Sequence, residues 1–266
     1  MESDGDLIER SVRGRPDAFV EVVRRHEVAI HGFLARRAGR QVADDLLAEV
    51  WMRAFAARTG YDLGYSDARP WLYGIARNVL RSHWRNSSGA YYDAPDETVD
   101  PWDDVNDRLD SSAGVQALAS AVRALPAAER EVLLLVAWEQ LTPAEAAKVL
   151  GVPQGTARSR LHRARAALRR VLSAHGAEGA EVEKMSRDRE EPQITDQLCA
   201  IGQVEPPATG VLDDARETLW SAIADEMLDS DVADMQTTSA GSDEDRTARR
   251  RQQNRSQNIE RRLGNA

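Results

Sequence analysis

The stretch "LTPAEAAKVLGVPQGTARSRLHRARAALRR", residues 141–170, constrains its own local fold more tightly than any other part of the chain. Thr142 is suited to cap a helix, Pro143 fits the first helical position, and Glu145 stands three residues after the cap, completing a capping box. Ala146, Ala147, Val149 and Leu150 give this short helix an apolar face. Gly151 fits the left-handed position that ends a helix, and Pro153 blocks its continuation. A second helix then begins. Ala157, Leu161, Ala164 and Leu168 recur at steps of four, three and four, which makes one apolar stripe. Away from the stripe lie Arg158, Ser159, His162 and Arg163. Residues 155–170 hold six arginines and no acid, whereas a merely solvated helix usually interleaves both signs. Two helices joined by a tight turn, the second with a cationic outer face, form a helix-turn-helix suited to the DNA major groove.

This basic helix sits in an acidic chain. The 266 residues carry a formal net charge of −9, and the charge is segregated. Residues 1–92 sum to +2, residues 93–110 to −7, residues 111–175 to +5 and residues 176–266 to −9. Two basic-leaning blocks separated by an acidic one fit two nucleic-acid-facing domains on a tether. The tether, "YYDAPDETVDPWDDVNDRLDSS", is rich in acids and prolines and has little apolar periodicity. The single cysteine, Cys199, excludes a disulfide framework or a cysteine-rich metal site, and the five histidines do not cluster at ligand spacing. His26 and His31 read as surface or partly buried packing residues. Neither a phosphate-binding glycine loop nor a nucleophile elbow occurs, so neither cofactor, metal nor catalytic residue is expected. Without a membrane-length apolar run or a secretory pattern, the expected location is the cytoplasm.

The first block reads as all helix. Pro16 opens a helix after "DLIERSV". In "ADDLLAEVWMRAFAAR" the buried side is Leu46, Leu47, Val50, Trp51, Ala54 and Phe55, and Asp45, Glu49 and Arg53 form a polar ridge at steps of four. The loop "TGYDLGYSDARP" follows, and then "PWLYGIARNVLRSHWRNSS", which projects Arg77, Asn78, Arg81, His83, Trp84 and Arg85. Acids are absent between Ala68 and Tyr92. Arginines interleaved with aromatic rings suit unstacked, single-stranded bases.

Taken in order, "ADDLLAEVWMRAFA", "PWLYGIARNVLRSHWR" and "LPAAEREVLLLVAWEQLTPAEAAKVLGVPQGTARSRLHRARAALRR" resemble the bacterial extracytoplasmic-function (ECF) sigma factors over roughly residues 5–175. The resemblance implies an all-α chain of two small helical domains. Region 2 would span 5–88, a flexible acidic linker 89–112, and region 4, with its helix-turn-helix, 113–175. It further implies a subunit that binds core RNA polymerase and directs promoter-specific initiation, with an anti-sigma factor or other regulatory protein as a possible third partner. Residue by residue, Asp45, Glu49 and Arg53 match the family's polymerase-docking ridge, although Ala48 stands where the family usually has Gln. Tyr61, Tyr65, Arg77, Asn78, Arg81 and Trp84 match the elements that hold flipped bases of the −10 element. Thr156, Arg158, Ser159, Arg160, His162 and Arg163 match the face that meets the −35 element. The alternative is a helix-turn-helix regulator that is not a polymerase subunit, and its mark would be a sensor or receiver domain ahead of the motif.

Residues 176–266 form an extension beyond the resemblance, expected to be mostly disordered with one amphipathic helix near 211–228. Leu212, Ala215, Leu219, Ile223 and Met227 make its stripe, and Asp213, Asp214, Glu217, Asp225 and Glu226 flank it. Such a stripe needs a covering surface. Three outcomes are open: the helix folds back on its own domains, it binds a regulator, or it is a remnant, with Met185 a conceivable start of a fused reading frame. If it folds back, its acids are expected to cover the arginine faces by charge.

Overall fold

The structure is a computed structural model that describes residues 2–87, 113–176, 198, 202–204 and 206–226. The acidic linker 89–112 and most of the extension, including Met227, lie outside the described residues. The chain divides into two compact units, Met1–Leu219 and Trp220–Ala266. In the second, the described residues 220–226 are the end of a helix, with Trp220 43% exposed.

Every regular element among the described residues is helical. α1 (Asp4–Val12) starts at a Ser3/Asp6 capping box in which the Ser3 hydroxyl accepts from the Asp6 N–H and the Asp6 carboxylate accepts from the Ser3 N–H. A 3₁₀ turn, Pro16–Ala18, leads into α2 (Phe19–Ala38), so Pro16 opens the turn and the α-helix proper begins three residues later. Gly39, at φ 78°, ends α2 and starts α3 (Arg40–Ala57), a backbone shape that a Cβ would strain. α4 (Arg69–Ser87) follows a 3₁₀ turn and the Tyr61–Ala68 loop.

α1 to α4 pack as one bundle. The side of α3 read from its spacing is the buried one, with Leu47, Val50, Trp51 and Ala54 fully enclosed. Phe19 of α2 meets Phe55 of α3 edge-on at 5.6 Å, and Phe33 meets Tyr73 of α4 at 5.2 Å. Both histidines of α2 are buried, deeper than their helical positions implied, and each has a carboxylate partner. His31 Nε2 lies 2.6 Å from Asp44, and His26 Nε2 lies 2.7 Å from Asp4. Asp4 also accepts from the Ala68 N–H and from Arg25, tying α1, α2 and the loop before α4 together. Burial raises the Asp4 carboxyl, but these hydrogen bonds and the adjacent histidine outweigh it and hold the group at about 2. Asp4, His26 and Asp67 bring their polar atoms within 4.8 Å of one another, yet Asp4 is taken up by these bonds and Asp67 by Arg69. Sequence spacing could not show this cluster, because its members come from three elements.

The second bundle is built from α5 (Ala113–Arg123), α6 (Ala127–Ala137), α7 (Pro143–Leu150) and α8 (Gln154–Gly176). Thr142 and Glu145 form the expected capping box, a device whose loss costs about 1 kcal/mol. Gly151 sits at φ 67°, ψ 32°, the left-handed cap, and its N–H bonds back to α7. Ala157, Leu161, Ala164 and Leu168 are all buried against α5 and α6, with Leu118, Val122 and Leu134 across the core. The predicted stripe is the observed one.

A ninth helix, α9, runs over residues 209–226, close to the expected 211–228. Its stripe residues Ala215 and Leu219 are 4% and 1% exposed. The helix folds back on its own chain, one of the three outcomes open from sequence. The contact is not the one its acids implied: Arg216 forks onto Glu27 of α2 at 2.8 Å, while Arg158 and Arg163 of α8 stay exposed. The helix is thus tied to α2 through its arginine and not through its acids.

Candidate nucleic-acid interface

The turn between α7 and α8 decides what α8 presents. With Gly151 in the left-handed cap and Pro153 preceding Gln154, the helix begins at a fixed angle and its stripe is drawn into the core. Arg158, Ser159, His162 and Arg163 are therefore all exposed, and Thr156 and Arg160 are half-buried at the flanks of the row. The Ser159 hydroxyl donates to the Thr156 carbonyl, 2.9 Å, holding it close to the helix. Arg163 Nε donates to Glu129 of α6 at 2.6 Å, so this guanidinium has a protein partner to exchange for any DNA acceptor. First-turn N–H groups, a hydroxyl and two arginines on one open face can bond phosphates and base edges together.

The residues expected to hold flipped bases are dispersed in environment. Tyr61 is 8% exposed. Its ring meets Trp71 at 5.1 Å and its hydroxyl donates to the Tyr65 carbonyl at 2.8 Å. Burial, reinforced by Asp4 and Asp67, pushes its phenol up to about 12. Tyr65 is 46% exposed, with the Lys148 ammonium of α7 over its ring, 3.5 Å from the centroid. Asn78 and Arg81 are exposed on α4 and Trp84 is half-buried. Arg77 is engaged: its Nε donates to Glu131 of α6 at 2.6 Å. On α3, Asp45 and Arg53 are exposed and Glu49 half-buried, and Glu49 pairs with Arg53 at 2.5 Å.

Sequence reasoning missed the seam between the two bundles. Glu139, just after α6, is 4% exposed and accepts from Arg36 at 2.5 Å and Arg37 at 3.0 Å, both on α2. Burial pushes the Arg37 guanidinium down, opposed by the Glu139 charge, and its plane lies 3.7 Å from the centre of the Phe33 ring. With Arg77–Glu131 and Lys148–Tyr65, this makes a charged closure of the first bundle on the second. Glu129, Glu131 and Glu139 are three of the four acids of an otherwise basic block, the fourth being the capping Glu145, and they are the signal in the sequence that could have pointed to it.

Family comparison matches residues 22–89 to Sigma-70 region 2 and residues 115–168 to Sigma-70, region 4. The chain is 34% identical over 174 residues to the ECF RNA polymerase sigma factor SigM of Mycobacterium tuberculosis strain H37Rv, covering 64% of this chain and 85% of that protein. It is 29% identical to the ECF RNA polymerase sigma factor BldN of Streptomyces coelicolor, over 63% of this chain and 65% of that one. A solved structure of CnrH in complex with the cytosolic domain of CnrY is 27% identical, with a TM-score of 0.47, covering 64% of this chain and 97% of that one. The two bundles are thus sigma regions 2 and 4, and the chain belongs to the ECF RNA polymerase sigma factor family.

Proposed function

We propose that this protein is a promoter-specificity subunit that binds core RNA polymerase and directs transcription initiation, with no catalytic residue of its own. The observation that carries the reading is the exposed row Arg158, Ser159, His162 and Arg163 on the second helix of a fully formed helix-turn-helix, in a chain of this family. That row, with Thr156 and Arg160 beside it, contacts the −35 element. Tyr61, Tyr65, Arg77, Asn78, Arg81 and Trp84 serve the −10 element, and Asp45, Glu49 and Arg53 dock on the polymerase. Promoter DNA, core polymerase and a regulatory protein of the anti-sigma kind are its partners, and it works in the cytoplasm. Among the described residues there is no helix long and apolar enough to cross a membrane.

Flipping bases from a duplex costs a few kcal/mol, so region 2 must offer stacking and cationic groups that are free when DNA arrives. Transcription in vitro tests the reading. Purified protein added to core polymerase should produce transcripts from specific start sites. Tight binding to a duplex site without any initiation by core enzyme would instead identify a regulator that is not a polymerase subunit.

A further inference from the structure

Described residues of the extension contact both region 2 and region 4. On region 4, Leu198 is fully buried in the core cluster, and the Trp138 indole N–H donates to its carbonyl at 2.8 Å. Gly202 lies flat on the same indole: a Cβ there would overlap Nε1 and Cδ1 of Trp138. On region 2, Arg36 donates to the Gly202 carbonyl at 3.4 Å while its other terminal nitrogen bonds Glu139 at 2.5 Å. Arg40 donates to the Pro206 carbonyl at 3.2 Å, and Arg216 closes the line on Glu27. Main-chain carbonyls thus meet Arg36 of α2 and Arg40 of α3, and Arg216 meets the buried Glu27 of α2.

We propose that Leu198, Gly202, Pro206 and Arg216 anchor a cis-acting inhibitory strap that keeps regions 2 and 4 closed on one another and must detach before the promoter is engaged. The inference rests on the sigma reading above. In the closed arrangement Arg77 is bound to Glu131 and the Lys148 ammonium occupies one face of the Tyr65 ring, so one −10 candidate is paired with region 4 and a second has one stacking face taken, while the α8 row stays exposed. The strap adds contacts that exist only while α2 and α6 are adjacent, which biases the chain toward the state that withholds them.

Gly202 supplies a narrow perturbation. It is not among the glycines at positive φ, so alanine suits its backbone, and the nearest atoms to the added methyl are all of the Trp138 indole. In the full chain, Gly202→Ala should enlarge the radius of gyration measured by small-angle scattering. It should also raise initiation with core polymerase by about tenfold, the effect of shifting the closed–open balance by one decade. Arg216→Glu should act in the same direction, and adding Glu27→Arg to it should restore closure. Circular dichroism melts of each variant report whether the bundles remain folded. If both single variants stay folded and as compact as the parent, the strap does not hold the regions together. Expansion without any gain in initiation would refute inhibition. If neither parent nor variants initiate but Gly202→Ala still expands the chain, the sigma reading fails and the clamp stands.

Discussion

Replacing Glu139 by alanine should open the seam between regions 2 and 4. The Glu139 side chain is 1% exposed and lies within 2.5 and 3.0 Å of two guanidiniums that are themselves 12% and 7% exposed. Truncating one member of a buried charge pair costs about 3–5 kcal/mol when the remaining charge stays buried. Here two positive charges would face each other across an empty carboxylate site. Neither region needs to unfold to relieve them, because both arginines are on α2 and the acid follows α6, so separation lets water reach both. The cost therefore falls on the closed–open equilibrium, and at about 3 kcal/mol the open population rises roughly a hundredfold. Spin labels at the exposed positions 28 and 124, with Cys199 replaced by serine, report the distance between regions. The parent should give a single short distance and Glu139→Ala a broad, longer distribution. Glu139→Gln, which keeps an acceptor but loses the charge, should fall between them. Exchanging Arg36, Arg37 and Glu139 together for methionine should restore the short distance, since a buried ion triad is often replaceable by apolar packing. An unchanged distribution in folded Glu139→Ala protein would refute the reasoning and reduce the trio to incidental contacts.

Two further outcomes are expected. On α8, Arg158→Ala should weaken binding to the cognate duplex by about 1–3 kcal/mol, and Arg163→Ala by less, because Arg163 exchanges Glu129 for DNA. Titrations at several salt concentrations separate the cases, and equal losses on cognate and random DNA at Arg158, Arg163 and Arg169 would rule out a reading face. Asp4 makes region 2 sensitive to acid. Its folded pKa of about 2 lies below the ordinary 3.8, so its stabilisation is complete above about 4 and is lost as pH falls toward 2. The lost contribution is about 2 kcal/mol, and Asp4→Asn should flatten the melting temperature across that window, as thermal denaturation followed by circular dichroism would read.

The helical class and the face that α8 presents were legible in the residue pattern for a local reason, while the family was read from the resemblance of three motifs in order. A capping box, a left-handed glycine and a stripe at helical spacing act within a few residues of one another, so their geometry follows from chain order. The buried side of α3 was equally plain, since a helix fixes which residues share a face. The partners of individual polar groups were not. His26 and His31 read as surface or partly buried packing residues, and only the packed structure brings Asp4 and Asp44 to them from other elements. Arg77 looked free, and Glu131, 54 positions away, engages it. The extension showed the same limit. Its stripe announced a helix in need of cover, but its acids pointed to the α8 arginines, whereas Arg216 found Glu27, 189 positions away. Sequence determines which side of a helix is apolar and where it ends. Only the packed structure decides which charge meets which, because a buried ion pair forms where desolvation is met by geometry, and that geometry comes from elements far apart in the chain.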